Sequence, residues 1–200
     1  LKAPAGVAIR QAMASNDTQS FPHSSRTVLL LIDVINDLAF PGGEELLTNA
    51  RPMADALASL KRAARERDLP VVYLNDNFGQ WRSDFREVVK HALREDSPGA
   101  PMVRALLPEP DDYFVLKPRH SGFFGTTLET LLHYLGARRL VLGGLTTDMC
   151  VLFTAVDAYI RDYALRIPAD CSACVRQRDH EAAITYLRDT LKADTRPGMP

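Results

Sequence analysis

No stretch of this 200-residue chain is apolar for long enough to span a bilayer as a helix, so a helical membrane protein is not expected. Neither charge predominates: 24 Lys and Arg stand against 25 Asp and Glu, a formal net charge of −1. That balance provides no electrostatic footprint for nucleic acid or for an anionic membrane surface. Cysteine is scarce and odd in number, three in all, which argues against a disulfide framework and for a reducing compartment, with the cytoplasm as the expected location. Residues 1–25 lack a basic segment followed by an apolar one and do not read as a signal peptide.

What is present fits one α/β domain with a full core: 46% of residues are hydrophobic and 24% charged. Residues 1–25, rich in Ala, Ser, Asn and Pro, read as an N-terminal arm, residues 26–195 as the folded domain, and residues 196–200 as a C-terminal tail. Val28–Ile32 is apolar at every position, as a strand covered on both faces must be. Further strands are expected at Pro70–Leu74, Tyr113–Lys117, Arg139–Leu142 and Ala164–Pro168, with Lys192–Thr195 a weak sixth. Helical periodicity falls between them: Glu44–Arg67 with Pro52 starting or kinking it, Arg82–Leu93, Thr126–Leu135 ended by Gly136, Asp148–Arg161 and Arg178–Leu191. Ser97–Pro110 reads as a long irregular connection. This alternation predicts a three-layer, doubly wound parallel sheet of five to six strands with helices on both faces.

In such sheets ligands bind beyond the carboxyl ends of the strands. Three chemically active side chains fall there. Asp33 ends the first strand, Lys117 ends the third, and Cys150 follows the fourth at the start of a helix. Each has a plain alternative: Asp33 as a turn cap, Lys117 as a solvated rim charge, Cys150 as a small buried residue. If they converge, the chemistry of acyl transfer assembles. Lys117 and the helix start favour a thiolate, Asp33 takes and returns a proton, and Cys150 attacks a carbonyl carbon to form a thioester that water hydrolyses. Backbone N–H groups of the Gly143–Cys150 turn would hold the oxyanion.

Three ordered segments carry a resemblance. Leu29-Leu-Leu-Ile-Asp33-Val-Ile-Asn-Asp37, Phe114-Val-Leu-Lys117-Pro-Arg-His-Ser-Gly-Phe-Phe124 and Gly143-Gly-Leu-Thr-Thr-Asp-Met-Cys150-Val151 resemble the isochorismatase-like cysteine hydrolases, which include nicotinamidases and N-carbamoylsarcosine amidohydrolase. The likeness covers roughly residues 26–190. It implies a catalytic triad of Asp33, Lys117 and Cys150. It also implies a non-proline cis peptide at Leu145–Thr146, with the N–H groups of Thr146 and Cys150 toward the oxyanion. Isochorismatases themselves lack the Cys, so its presence points to an amide or related acyl bond. The resemblance further implies a small-molecule substrate and a homo-oligomer, usually a dimer or tetramer.

The chain departs from the family at several positions. Nicotinamidases resemble one another in an Asp-x-His segment that binds a metal; here Asp76 is followed by Phe78 where the His would stand. A phenyl ring cannot ligate a metal, so no catalytic metal and no cofactor are expected, and nicotinamide is a poor candidate substrate. Ile35 and Leu38 stand where many relatives have Gln and Phe. Trp81, Arg82, Phe85, Arg119, His120, Phe123 and Phe124 are candidates for the substrate pocket, against core packing or solvated charge for each. Cys171 and Cys174 form a C-x-x-C after the fifth strand. A redox pair is one reading and half a zinc site another, with His180 a third ligand and no fourth apparent; two small semi-buried residues is the ordinary one. The expected function is a metal-independent cysteine hydrolase of a small amide-like substrate. Its rivals are a thiol redox protein using Cys171 and Cys174, and a non-catalytic binding protein of the same fold.

Overall fold

The computed structural model describes residues 24–79 and 84–198. All but the last two residues of the expected arm, the segment with Trp81 and Arg82, and the end of the expected tail lie outside the described residues.

Among the described residues, six parallel strands form one sheet. β1 (Thr27–Ile32), β2 (Val71–Asp76), β3 (Tyr113–Lys117), β4 (Arg139–Leu145) and β5 (Ala164–Arg166) run in the order β3-β2-β1-β4-β5, and β6 (Ser172–Ala173) pairs with the far end of β4. The order follows from the connections. The chain starts at the centre, winds outward through β2 and β3, then returns to the other side of β1 for β4. The crevice beyond β1 and β4 is therefore the point where strand order reverses, the standard ligand position in open α/β sheets.

Alternating strand residues feed two cores. Leu29, Leu31, Tyr73 and Val141 face α1 (Gly43–Arg65), α2 (Phe85–Ala92) and α3 (Ala100–Ala105). Val28, Leu30, Ile32, Leu74 and Leu142 face α4 (Leu128–Leu135), α5 (Leu152–Ile160) and α6 (Gln177–Asp189). Among the described residues no helix is long and apolar enough to cross a membrane.

Several elements differ from the sequence expectation for identifiable reasons. α1 runs unbroken through Pro52, because burial of Leu46, Ala50, Met53 and Leu57 on one face outweighs the roughly 3 kcal/mol cost of an interior proline. α2 starts at Phe85, where the Asp84 side chain accepts the Glu87 N–H at 3.0 Å. The supposedly irregular stretch 97–110 contains α3, with Pro101 in the first turn, where its missing N–H costs nothing. β5 is shorter than expected, ending at Arg166. The sixth strand is Ser172–Ala173; Lys192–Thr195 contributes only an isolated bridge between Asp194 and Arg166.

The most consequential difference is at Gly143 and Gly144, expected in a turn but part of β4. A side chain on Gly144 would lie 2.0 Å from the Ile32 carbonyl oxygen, and its φ is +126°. The two glycines let β4 pack closely against β1, α1 and Cys171 just before β6, extending β4 to Leu145 and fixing where the turn that carries Cys150 begins. Gly144→Ala is therefore expected to cost about 3 kcal/mol or more of folding stability, measured by urea denaturation, since both backbone strain and overpacking act at once. A loss under about 1 kcal/mol would contradict this account of β4.

Candidate active site

Asp33 follows the last residue of β1 and takes a left-handed conformation, φ +51°, which a short polar residue tolerates better than most. Its N–H donates to the Leu74 carbonyl at 2.8 Å. Its carboxylate turns inward: Oδ1 accepts the Asp76 N–H at 2.7 Å, and Oδ2 lies 2.8 Å from Lys117 Nζ. The loop behind it is pinned by Asn75, fully buried, which accepts from the Ile35 N–H and donates to the Ile35 carbonyl.

Lys117 stands two strands away, in register with Asp76 on β2. Its four-carbon stem runs beneath the strand ends, and the side chain is fully buried. The ammonium meets Asp33, sits 3.7 Å from Asp76 Oδ2, and donates to Cys150 Sγ at 3.4 Å. Cys150, half-buried, lies in a wide π-type turn over Thr147–Val151 between β4 and α5. Turns of this kind recur at functional sites. The peptide between Leu145 and Thr146 is cis, as the resemblance implies. The three residues singled out at three strand ends thus meet at one point.

Electrostatics depart from expectation in one respect. Burial and then the Asp33 charge push the Cys150 thiol up to about 12, and Lys117 only partly offsets them. The resting sulfur is a protonated thiol and not the low-pKa thiolate that the helix start suggested. Burial also raises the Asp33 carboxyl, with Lys117 pulling it back. For Lys117, burial works against the charge, but Asp33, Cys150 and Asp76 together hold the ammonium above its ordinary value.

The pocket candidates divide. His120 is exposed, and its Nδ1 reaches within 3.8 Å of Cys150 Sγ while its ring lies 5.8 Å from that of Phe153. Phe124 and Arg119 are exposed. Phe85 is instead a core residue, stacked on Phe114 and packed beside Tyr73, because the helix periodicity of α2 turns it inward. Phe123 is likewise buried, against Tyr163 and under the Arg161 guanidinium. His91, exposed at the surface, pairs with Asp37 at 2.9 Å. Beside the triad is a cavity of about 330 Å³, lined by Ile35, Asp37, Asn77, Phe78, Val88 and His91, with none of the triad in its wall.

The metal-binding residues of nicotinamidases do not fit here. Phe78 is half-exposed and offers no donor, Asp76 faces the Lys117 ammonium, and among the described residues no three His, Cys, Asp or Glu side chains gather into a metal-binding group. His180 bonds through Nδ1 to the Thr147 hydroxyl, Cys171 is packed in the core, and Cys174 bonds to Asp148. Sequence reasoning missed Asn75 as the anchor of the Asp33 loop and Asp76 as a second carboxylate on Lys117. The run Asn75-Asp76-Asn77, polar at the end of an apolar strand, was the available signal.

The isochorismatase domain family matches residues 27–194. The isochorismatase family protein YaaI of Bacillus subtilis (strain 168) is 37% identical over 166 residues, covering 83% of this chain and 91% of that protein. The ureidoacrylate amidohydrolase RutB of Methylorubrum extorquens is 29% identical over 174 residues, covering 73% of this chain and 69% of its own. Among solved structures, the nicotinamidase/pyrazinamidase PncA of Bacillus subtilis is similar with a TM-score of 0.67 at 28% identity, covering 86% of this chain and all of that one (100%).

Iodoacetamide alkylation of Cys150, followed by peptide mass spectrometry between pH 7 and 10, should climb about tenfold per pH unit with no plateau, because only the thiolate reacts. An inflection at or below the ordinary thiol range of about 8.5 would refute the raised value.

Proposed function

The chain belongs to the isochorismatase family, and on that footing we propose that it is a metal-independent cysteine hydrolase that cleaves a small amide-like C–N bond through a thioester. One observation carries the reading: a single buried ammonium, Lys117 Nζ, lies 2.8 Å from the Asp33 carboxylate and 3.4 Å from Cys150 Sγ. The relatives that are amidohydrolases support the choice of a C–N bond.

Because the thiol rests protonated, attack and deprotonation are coupled. The Cys150 S–H proton passes to Asp33 as sulfur bonds to the carbonyl carbon, and the carbonyl π pair moves to oxygen. The N–H groups of Thr146 and Cys150 hold that oxyanion. Collapse breaks the C–N bond, and the proton on Asp33 goes to the departing nitrogen. A water molecule then attacks the thioester, gives one proton to Asp33, and Cys150 leaves with it as a thiol. Lys117 stays charged throughout, so the carboxylate is never a bare buried anion. No step needs a metal.

The thiol-redox alternative is disfavoured by the burial of both other cysteines. Burial pushes Cys171 above the ordinary thiol range and Cys174 up to about 11, which leaves both largely unreactive. The homo-oligomer belongs to the same proposal and is read directly by light scattering of the purified chain.

Incubation with a panel of small amides and ureides should trap an acyl adduct on Cys150 detectable by mass spectrometry, and Cys150→Ser should lower turnover about 10³-fold or more. The kcat/KM profile should fall on the acid side as Asp33 protonates, with a midpoint above the usual carboxylate value of 3.8, since burial raises that group. Full activity at pH 3.5, or turnover undiminished in Cys150→Ser, would sink the proposal.

A further inference from the structure

The turn that carries Cys150 is held from behind by the segment that follows β5. β6 pairs with Gly144 and Leu145, the residues that lead into the turn. Directly after β6, Cys174 Sγ donates to Asp148 Oδ1 at 3.1 Å. One residue earlier in the turn, the buried Thr147 hydroxyl meets His180 Nδ1 of α6 at 2.8 Å. The Cys174 and Val175 carbonyls are in turn bonded to the Asn49 side-chain amide on α1. The side chains of Thr147 and Asp148 are therefore tied toward β6 and α6, while Cys150 is presented on the cleft side to Lys117.

This arrangement has a physical consequence. The turn is wider than an α-helical one: the Thr146 carbonyl accepts both the Met149 and the Val151 N–H, at 3.1 and 3.2 Å. Wide turns are rare and need outside support. A side-chain bond to Asp148 supplies it, two residues before the sulfur. Cys174 suits the task because burial keeps it a thiol, hence a donor, at neutral pH.

We propose that Cys174 is a positioning residue: its S–H···Asp148 bond holds the nucleophile turn in the register that seats Cys150 Sγ against Lys117 and keeps it half-buried. The proposal deepens the hydrolase reading and rests on it for its meaning in turnover, but the seating of the sulfur is testable without any substrate.

The test compares Cys174→Val, which removes the donor and fills the site with an apolar side chain about one methyl group larger, with Cys174→Ser, whose hydroxyl restores a donor. In Cys174→Val the sulfur is less buried, so iodoacetamide should modify Cys150 about tenfold faster at pH 8, with the pH dependence moving toward that of an ordinary thiol. Cys171 should stay protected, which separates a loosened turn from global unfolding. With any amide that the wild type turns over, kcat should fall about 10–100-fold in Cys174→Val while KM stays within about threefold, because a displacement of about 1 Å costs on that order. Cys174→Ser should restore both readouts to within about threefold of wild type. Wild-type alkylation of Cys150 in Cys174→Val, or an equal defect in Cys174→Ser, overturns the proposal. Absence of turnover in the wild type overturns the hydrolase reading alone, and the alkylation comparison still decides the role of Cys174.

Discussion

The structure around the strand ends depends on one buried ion pair, Asp33 with Lys117. Taking a carboxylate and an ammonium out of water costs several kcal/mol each even after relaxation. At 2.8 Å and an effective dielectric near 20, their mutual attraction is about 6 kcal/mol. The pair therefore does little better than break even, and it does so only with the Asp76 N–H on one carboxylate oxygen and the Asp76 carboxylate near the ammonium. Stability alone therefore gives little reason for two buried charges here. In the proposed mechanism the charges provide a place where a proton can be taken from sulfur and held without leaving an unpaired anion behind.

The same burial sets the state of the thiol. Three influences compete at Cys150: loss of water and the Asp33 charge keep the proton on, and Lys117 draws it off. The first two win. A helix start and a nearby lysine suggest a ready thiolate, but that inference weighs only the favourable neighbours. In the proposed mechanism Asp33 is the base, and after burial its charge is the second influence that keeps the thiol protonated. Base and nucleophile would then share one cation, so that the proton moves only as sulfur bonds to carbon.

Much of this was legible in the primary structure. Val28–Ile32 announces a strand buried on both faces, and polar residues directly after such runs mark the ligand edge, which is how Asp33 and Lys117 stood out. The aromatic candidates fared differently. Phe85 and Phe123 sit near functional loops in the chain yet face the two cores, because helix and loop phase, more than proximity along the chain, decides which way a ring points. Gly143 and Gly144 read as a turn by composition and form strand by packing. The signal there was a need for close approach to β1, to Leu57 of α1 and to Cys171, which exists only once those neighbours are in place. The sixth strand was equally invisible: Ser172–Ala173 is too short for any periodicity, and it pairs only because β4 continues past the glycines.

The amino-acid sequence by itself determined the strand–helix alternation, the parallel sheet and the order in which acid, cation and thiol occur, because hydrophobic period and residue chemistry are local properties. Tertiary structure decided which of those groups meet, which aromatics are buried and which exposed, and how the turn that carries Cys150 is held. Those outcomes depend on burial and on ångström-scale distances between residues far apart in the chain. Neither the desolvation of a charge nor the contact of Cys174 with Asp148 exists before the sheet brings them together.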